Sequence, residues 1–222
     1  MNRAVCSMSA APEPSGVRRV ARLSARALDE ALSALITENG DAAEVDLRAD
    51  AYGHGANEVE RRARALGVSR FIRDADASPD VDRTSAIFGF SPGQPPLLSL
   101  TGEVVAVKRV AAGTAVSYGY TYRTTGASTL ALVGLGYADG VPRSASSTAT
   151  VRVGDQRGLI AGRIAMDQLV VDLGDAEATV GDDAVLWDDA ESFAGWCAAT
   201  GRAPAELTTR LGPRIRRVWS DA

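Results

Sequence analysis

Tyr52, Gly53, His54 and Gly55 are the first residues in this sequence whose types and spacing could do chemistry. They lie between a short strand-like segment and a segment with helical periodicity. Glycines at such a junction let backbone N–H groups approach an anion at a helix N-terminus, and a tyrosine hydroxyl can add a hydrogen bond. A glycine-rich turn with a surface histidine is the ordinary alternative, and spacing alone favours that alternative.

Tyr137 is the second candidate, within LGYADGVPR, where an apolar run ends and the turn pair Asp139-Gly140 follows. A tyrosine at this place can act as a general base if a neighbouring cation such as Arg143 lowers the pKa of its phenol. Most tyrosines at strand ends are instead amphipathic residues at the edge of a core. The sequence leaves both interpretations open.

The third group is Arg163, Met166 and Asp167 in AGRIAMDQ. It is compatible with a functional loop. It is equally compatible with a hairpin that contains one ion pair and a methionine filling a gap.

Two residue types are scarce enough to limit the mechanism. The chain has one histidine, His54, and one lysine, Lys108, beside 23 arginines. A mechanism that needs a second histidine is therefore excluded. A Schiff-base enzyme needs an amine that can lose its proton, which a guanidinium cannot replace, so Lys108 is the one candidate.

Composition excludes several other classes of protein. The chain has 222 residues, 45% hydrophobic and 23% charged, with a net charge of −4, so we expect neither nucleic-acid nor anionic-membrane binding. Cys6 and Cys197 lack the spacing of a disulfide framework or a zinc site, so we expect no metal and a reducing cytoplasm. No apolar run has the length of a signal peptide or a membrane span.

The order of elements predicts an α+β chain. Apolar spacing predicts one amphipathic helix over 17–36, with Ser24 available as its N-cap and Gly40 beyond its end. A strand, a helix and a second strand at GVSRFI follow, as in the start of a βαβ unit. From residue 97, seven short Val/Leu/Ile runs with turns between them predict a compact β-rich domain, and SPGQPP is the expected linker. We expect a disordered leader over 1–16 and domains over 17–96 and 97–222.

Five segments in this order resemble the alanine racemase family: VDLRADAYGHG, VSYGYTY, LGYADGVPR, GRIAMDQ and TRLGPRIRRV. The resemblance implies a (β/α)8 barrel that binds pyridoxal phosphate, followed by a β-rich C-terminal domain. It implies a head-to-tail dimer that interconverts L-alanine and D-alanine, the latter for cell-wall peptidoglycan.

The resemblance also implies roles for single residues. Tyr52 matches a tyrosine that contacts the cofactor phosphate. Arg83, in DRTSAIFGF, loosely matches an arginine bonded to the pyridine nitrogen, and it precedes the segment SAIFGF, which matches the barrel's eighth strand. Tyr137 matches a catalytic base supplied across the dimer. Met166 matches a backbone N–H that contacts the substrate carboxylate.

Two departures predict weak or absent racemase activity. Arg48 occupies the position of the family's Schiff-base lysine, and Lys108 is expected to be a solvated lysine on a strand. Only about 100 residues precede the β-rich region, whereas a (β/α)8 barrel takes about 250. We expect a barrel remnant that packs on the β-rich domain, dimerises or is poorly ordered, and that binds pyridoxal phosphate weakly. The alternative is a non-catalytic module that forms a homodimer, or a heterodimer with a full-length racemase.

Overall fold

The computed structural model describes residues 16–75 and 85–221, and these form an α+β fold. The strands are β1 (Arg19–Ser24), β2 (Glu44–Asp46), β3 (Arg70–Ile72), β4 (Leu98–Val110), β5 (Ala115–Val116), β6 (Tyr122–Arg123), β7 (Ser128–Val133), β8 (Thr150–Val153), β9 (Gln156–Ile160), β10 (Leu169–Asp172), β11 (Asp183–Trp187) and β12 (Arg216–Ser220). The helices are α1 (Ala25–Asn39), α2 (Arg48–Gly53), α3 (Ala56–Ala65), α4 (Ala190–Thr200) and α5 (Pro204–Thr209).

Most strands form one sheet that curls into a barrel. The strand order is β11-β8-β9-β10-β7-β4-β1-β12, and β11 also pairs with β4, so six strands close on themselves while β1 and β12 extend from β4. Alternate residues point inward, as the buried positions of β8 and β10 show. Trp187 and Trp196 are fully buried in the same core. The β-rich domain expected from the sequence is confirmed.

The segment that opens the described chain is a strand, where the sequence predicted helix from residue 17. β1 pairs antiparallel with β4 and parallel with β12, and buries Val20, Ala21 and Leu23. The helix begins after Ser24, whose Oγ accepts the Ala27 N–H at 3.1 Å, so the N-cap prediction is confirmed. The spacing of apolar residues is compatible with a helix and with a strand. Pairing with the distant strands β4 and β12 makes this segment a strand. The boundary at residue 97 stays a prediction, although β1 belongs to the sheet beyond it.

The βαβ start is confirmed in the barrel remnant. β2 and β3 pair in parallel, with α2 and α3 between them. The remnant has its own small core, which includes Leu28, Leu32, Val45, Val59 and Phe88.

The segment SAIFGF is not the barrel strand that the sequence predicted. Ser85–Phe88 forms a 3₁₀ turn in which the consecutive residues Ile87 and Phe88 are both buried. A strand would send these two side chains to opposite faces. The turn lets both enter the same core.

The barrel remnant packs against the β-rich domain, which is one of the three outcomes expected from the sequence. Phe90 and Trp219 touch both cores. Arg217 Nε donates to the carbonyl of Gly53 at 2.6 Å, and Gly53 lies so close to Thr208 that a Cβ there would be 2.3 Å from its carbonyl oxygen. The expected leader, 1–16, lies outside the described residues except for Gly16.

Candidate functional site

The turn after β2 has an unusual backbone. Four successive residues without glycine, Ala49 to Tyr52, have φ between 50° and 58°. Each such residue costs about 1–2 kcal/mol relative to the right-handed conformation, so neighbouring groups must hold the turn in place.

Hydrogen bonds from several directions hold this left-handed turn. Asp74 Oδ1 accepts the Ala49 N–H at 2.8 Å, and Asp50 Oδ1 accepts the Ala56 N–H at 2.8 Å. The Ala51 N–H donates to Leu47 at 2.9 Å and the Gly55 N–H to Asp50 at 3.0 Å. Strained turns held this firmly are concentrated at binding and catalytic sites.

Asp46, Arg48 and Tyr52 form a closed polar cluster at the start of the turn. The carboxylate of Asp46 is fully buried. It accepts the Arg48 Nε–H at 2.9 Å, the Arg48 Nη2–H at 2.5 Å and the Arg48 backbone N–H at 3.0 Å. Tyr52 donates its hydroxyl to the same carboxylate at 2.5 Å. Arg48 is thereby committed to a partner two residues away.

The cluster stabilises its own charges. Burial opposes ionisation of Asp46, but hydrogen bonds from Arg48 and Tyr52 outweigh it and hold the pKa of Asp46 below its ordinary value. The hydrogen bonds to Asp46 raise the pKa of Arg48. Burial, followed by the hydrogen bond to Asp46, raises the pKa of Tyr52. An ionised Asp46, a cationic Arg48 and a neutral Tyr52 are therefore the stable states.

His54 is a buried histidine, where spacing alone favoured a surface one. It is 0% exposed, its ring lies 4.8 Å from that of Phe88, and its Nδ1 lies 2.9 Å from the carbonyl of Ala51. Its Nε2 is buried without a hydrogen-bond partner among the described residues. Burial, with a smaller contribution from the charge of Arg217, lowers the pKa of His54 to about 4.

Acid is therefore expected to destabilise the fold through His54. In the unfolded chain His54 binds a proton near pH 6.5, and in the folded chain only near pH 4. The neutral His54 therefore contributes its full stabilisation above pH 6.5, and the free energy of unfolding falls by about 3 kcal/mol as the pH is lowered to 4. Urea denaturation at pH 7 and pH 5 measures about 2 kcal/mol of this loss, with His54→Gln as the non-titrating control. An equal loss in both proteins would assign the effect to other groups.

Tyr137 and Met166 lie on two loops joined by backbone hydrogen bonds. The Tyr137 N–H donates to Ala165 at 3.0 Å and the Ala138 N–H to Met166 at 2.9 Å. Gly136 permits this approach, because a Cβ there would lie 2.3 Å from the Met166 carbonyl oxygen. The pairing fixes both residues at one end of the β-barrel.

Asp139 supports the same loop from within. Its Oδ2 accepts the Gly136 N–H at 2.9 Å, and its Oδ1 lies 3.0 Å from Arg214 Nε and 3.3 Å from Arg19 Nε. Arg214 also contacts Asp167 at 2.5 Å. Asp167 is thus paired with an arginine outside the hairpin that contains Arg163 and Met166.

The loops carry exposed aromatic and apolar side chains that we call the tyrosine face: Tyr118, Tyr120, Tyr137 and Met166. Tyr137 is 42% exposed and Met166 54%. Ser117 Oγ donates to the Arg163 carbonyl at 2.5 Å, which brings the turn with Tyr118 and Tyr120 against the hairpin of Met166. Arg143 lies over the Tyr137 ring at 5.6 Å. Exposed aromatic and apolar side chains that lie together are typical of a site that a partner covers.

The structure does not bring all the candidate residues from the sequence into one site. Lys108 is exposed on β4, opposite Leu130, as expected for a solvated lysine. Arg83 lies outside the described residues. Arg48 and Tyr52 form one hydrogen-bond network, and Tyr137 and Met166 form another. Sequence reasoning missed Asp46, for which a carboxylate inside the short apolar run VDL was the available signal.

Within the described ranges, no three or more His, Cys, Asp or Glu side chains are grouped so as to hold a metal ion. In the same part of the chain, no helix has the length and apolar character needed to cross a bilayer. Neither finding points to a further kind of site.

Comparison with protein families gives a match over the β-rich domain. The model described as "Alanine racemase, C-terminal domain" matches residues 97–219. Among curated proteins, an alanine racemase of Beutenbergia cavernae is 42% identical over 174 residues, 74% of this chain and 45% of that protein. One of Thermobifida fusca is 46% identical over 135 residues, 59% of this chain and 36% of that protein. The chain therefore spans less than half the length of these relatives.

Solved structures give the same comparison for the fold. The alanine racemase of Streptomyces lavendulae superposes with a TM-score of 0.79 at 22% identity, covering 93% of this chain and 98% of that one. The enzyme of Bacillus anthracis with bound L-Ala-P gives a TM-score of 0.82 at 15% identity over 93% and 96%. The alanine racemase of Bartonella henselae, with covalently bound pyridoxal phosphate, superposes with a TM-score of 0.79 at 16% identity. This match covers 91% of this chain and 99% of that one. The superposition extends over nearly the whole of these chains, whereas the sequence match covers less than half of the curated relatives.

Proposed function

The chain belongs to the alanine racemase family, and from that membership we propose that it has weak or no alanine racemase activity of its own. The observation that carries the proposal is the cluster of Asp46, Arg48 and Tyr52. The family's Schiff-base lysine matches position 48, where this chain has a guanidinium that cannot lose its proton and that Asp46 binds through several hydrogen bonds.

Pyridoxal phosphate does not fit the residues at this position. The cofactor supplies an electron sink for carbanion chemistry and in this family is expected to be held by a lysine. Here the Tyr52 hydroxyl, expected to contact the phosphate, donates to Asp46 instead. A phosphate brought to that hydroxyl would approach a buried carboxylate of the same sign, which is strongly unfavourable.

The barrel remnant supports the same conclusion. The described part of the remnant contains two parallel strands of three residues each, and such a pair cannot close a barrel. Alanine, if it bound, would meet Tyr137 without the cofactor chemistry that makes its α-proton acidic. A tyrosine at the position of the base is not sufficient for racemisation.

A racemase assay tests the proposal. Purified chain with saturating pyridoxal phosphate and L-alanine is expected to form little or no D-alanine above the background of cofactor alone. A full-length alanine racemase is the positive control. Turnover that approaches the rate of this control and disappears in Tyr137→Phe would contradict the proposal and assign efficient catalysis to this chain.

A second function is favoured by the exposure of the tyrosine face. The non-catalytic alternative requires Tyr137, Met166 and Asp167 to be accessible. Tyr137 is 42% exposed, Met166 is 54% exposed, and the side chain of Asp167 is 50% exposed. In this alternative the β-rich domain pairs with a second copy or with a full-length racemase and supplies Tyr137 to the partner's site.

A complementation assay separates this function from the first. A full-length racemase with phenylalanine at its own matching tyrosine is mixed with this chain, and D-alanine formation is measured. Recovery with the chain but not with Tyr137→Phe would support the second function. No recovery, with no change in sedimentation of either protein, would overturn it.

A further inference from the structure

A basic cavity of about 340 Å³ lies beside Tyr137, on the β-rich domain. Its walls come from the loop after β7, the turn between α4 and α5, and the end of α5. The residues that matter most for its chemistry are Tyr137, Gly140, Arg143, Arg202 and Arg210. Nothing in the proposed function uses the three arginines.

The charge of the cavity is unbalanced. Arg202 and Arg210 share a single carboxylate, because both contact Oε1 of Glu206, Arg210 at 3.2 Å. Arg143 lies over the Tyr137 ring. Of the described residues that line the cavity, none is acidic. The cavity therefore has three guanidinium groups but a single nearby carboxylate, which two of them share.

We propose that this cavity binds a small organic oxyanion, a carboxylate or phosphate compound. Guanidinium groups bind both kinds of anion through paired N–H donors, and arginines from separate segments can contact several oxygens at once. Gly140, with φ of 101°, keeps the loop against Arg210, since a Cβ there would lie 2.2 Å from the Arg210 carbonyl oxygen. The proposal goes beyond racemisation, because it needs neither cofactor nor proton transfer.

Isothermal titration with inorganic phosphate and, separately, with acetate tests the proposal at constant ionic strength and pH 7. We expect saturable binding of at least one anion with one site per chain. Phosphate alone would indicate a tetrahedral ligand, acetate alone a planar one, and either result supports an oxyanion site. The absence of saturable binding for both anions would overturn the proposal.

Variants locate the binding. Arg202→Gln and Arg143→Gln are each expected to weaken binding about tenfold or more, because each loses a charged donor. Arg109→Gln removes the same charge from β4, outside the cavity, and is expected to bind as the unchanged protein does. Arg143 is exposed, so its variant is expected to fold even if Arg202→Gln does not. Equal weakening in Arg143→Gln and Arg109→Gln would overturn the proposal in favour of a general charge effect.

Discussion

Replacing Asp46 with asparagine is expected to lower the free energy of unfolding by about 3 kcal/mol. Asparagine keeps the shape of Asp46 but removes the negative charge that accepts hydrogen bonds from Arg48 and Tyr52. Arg48 is then a poorly solvated cation without a counter-ion, since only 22% of its side chain is exposed. Urea denaturation at pH 7 measures the difference.

The matched control removes both charges. In Asp46→Leu combined with Arg48→Met, no buried charge is left without a partner, and such apolar replacements are often neutral in stability. We expect the double variant to recover most of the loss. If Asp46→Asn loses less than about 1 kcal/mol, or if the double variant is as unstable as the single one, the cluster is not the interaction that holds this turn.

Changing Arg48 to lysine is expected to give only slow covalent binding of pyridoxal phosphate, although the resemblance to the family implies a lysine at this position. The structure retains β2 and the turn, but it also places the carboxylate of Asp46 at hydrogen-bond distance from residue 48. A neighbouring carboxylate favours the ammonium form and raises the pKa of a lysine by about 1–3 units, whereas Schiff-base formation needs the neutral amine.

Removing that carboxylate is expected to release the lysine. Asp46→Val with Arg48→Lys should be labelled by pyridoxal phosphate and borohydride at least tenfold faster than Arg48→Lys alone, because each unit of pKa is a tenfold change in neutral amine. Both variants are made in a Lys108→Arg background, so that residue 48 is the one lysine, and peptide mapping identifies the labelled position. Equal labelling of the two variants would show that Asp46 does not control the amine.

The cluster of Asp46, Arg48 and Tyr52 is thus expected to have two effects. It stabilises the remnant, and its carboxylate prevents the chemistry that the family resemblance implies at position 48.

The sequence by itself determined the family, because five motifs in order carry that information without any contact being known. It also determined that position 48 holds an arginine, and it predicted the strands of the β-rich domain and the N-cap at Ser24. These features depend on residue identity and local spacing. Alternation of apolar residues along a strand and the preference of serine for an N-cap act within a few residues of chain.

The tertiary structure alone decided what depends on residues far apart in the sequence. β1 is a strand because β4 and β12, both more than 70 residues away, pair with it. His54 is buried because Phe88 packs on its ring, and Tyr137 is fixed because Gly136 admits the carbonyl of Met166. Asp46 is close to Arg48 in sequence, yet only the left-handed turn brings Tyr52 back onto the same carboxylate. Local patterns do not specify these contacts, because each one needs two parts of the chain to be packed together.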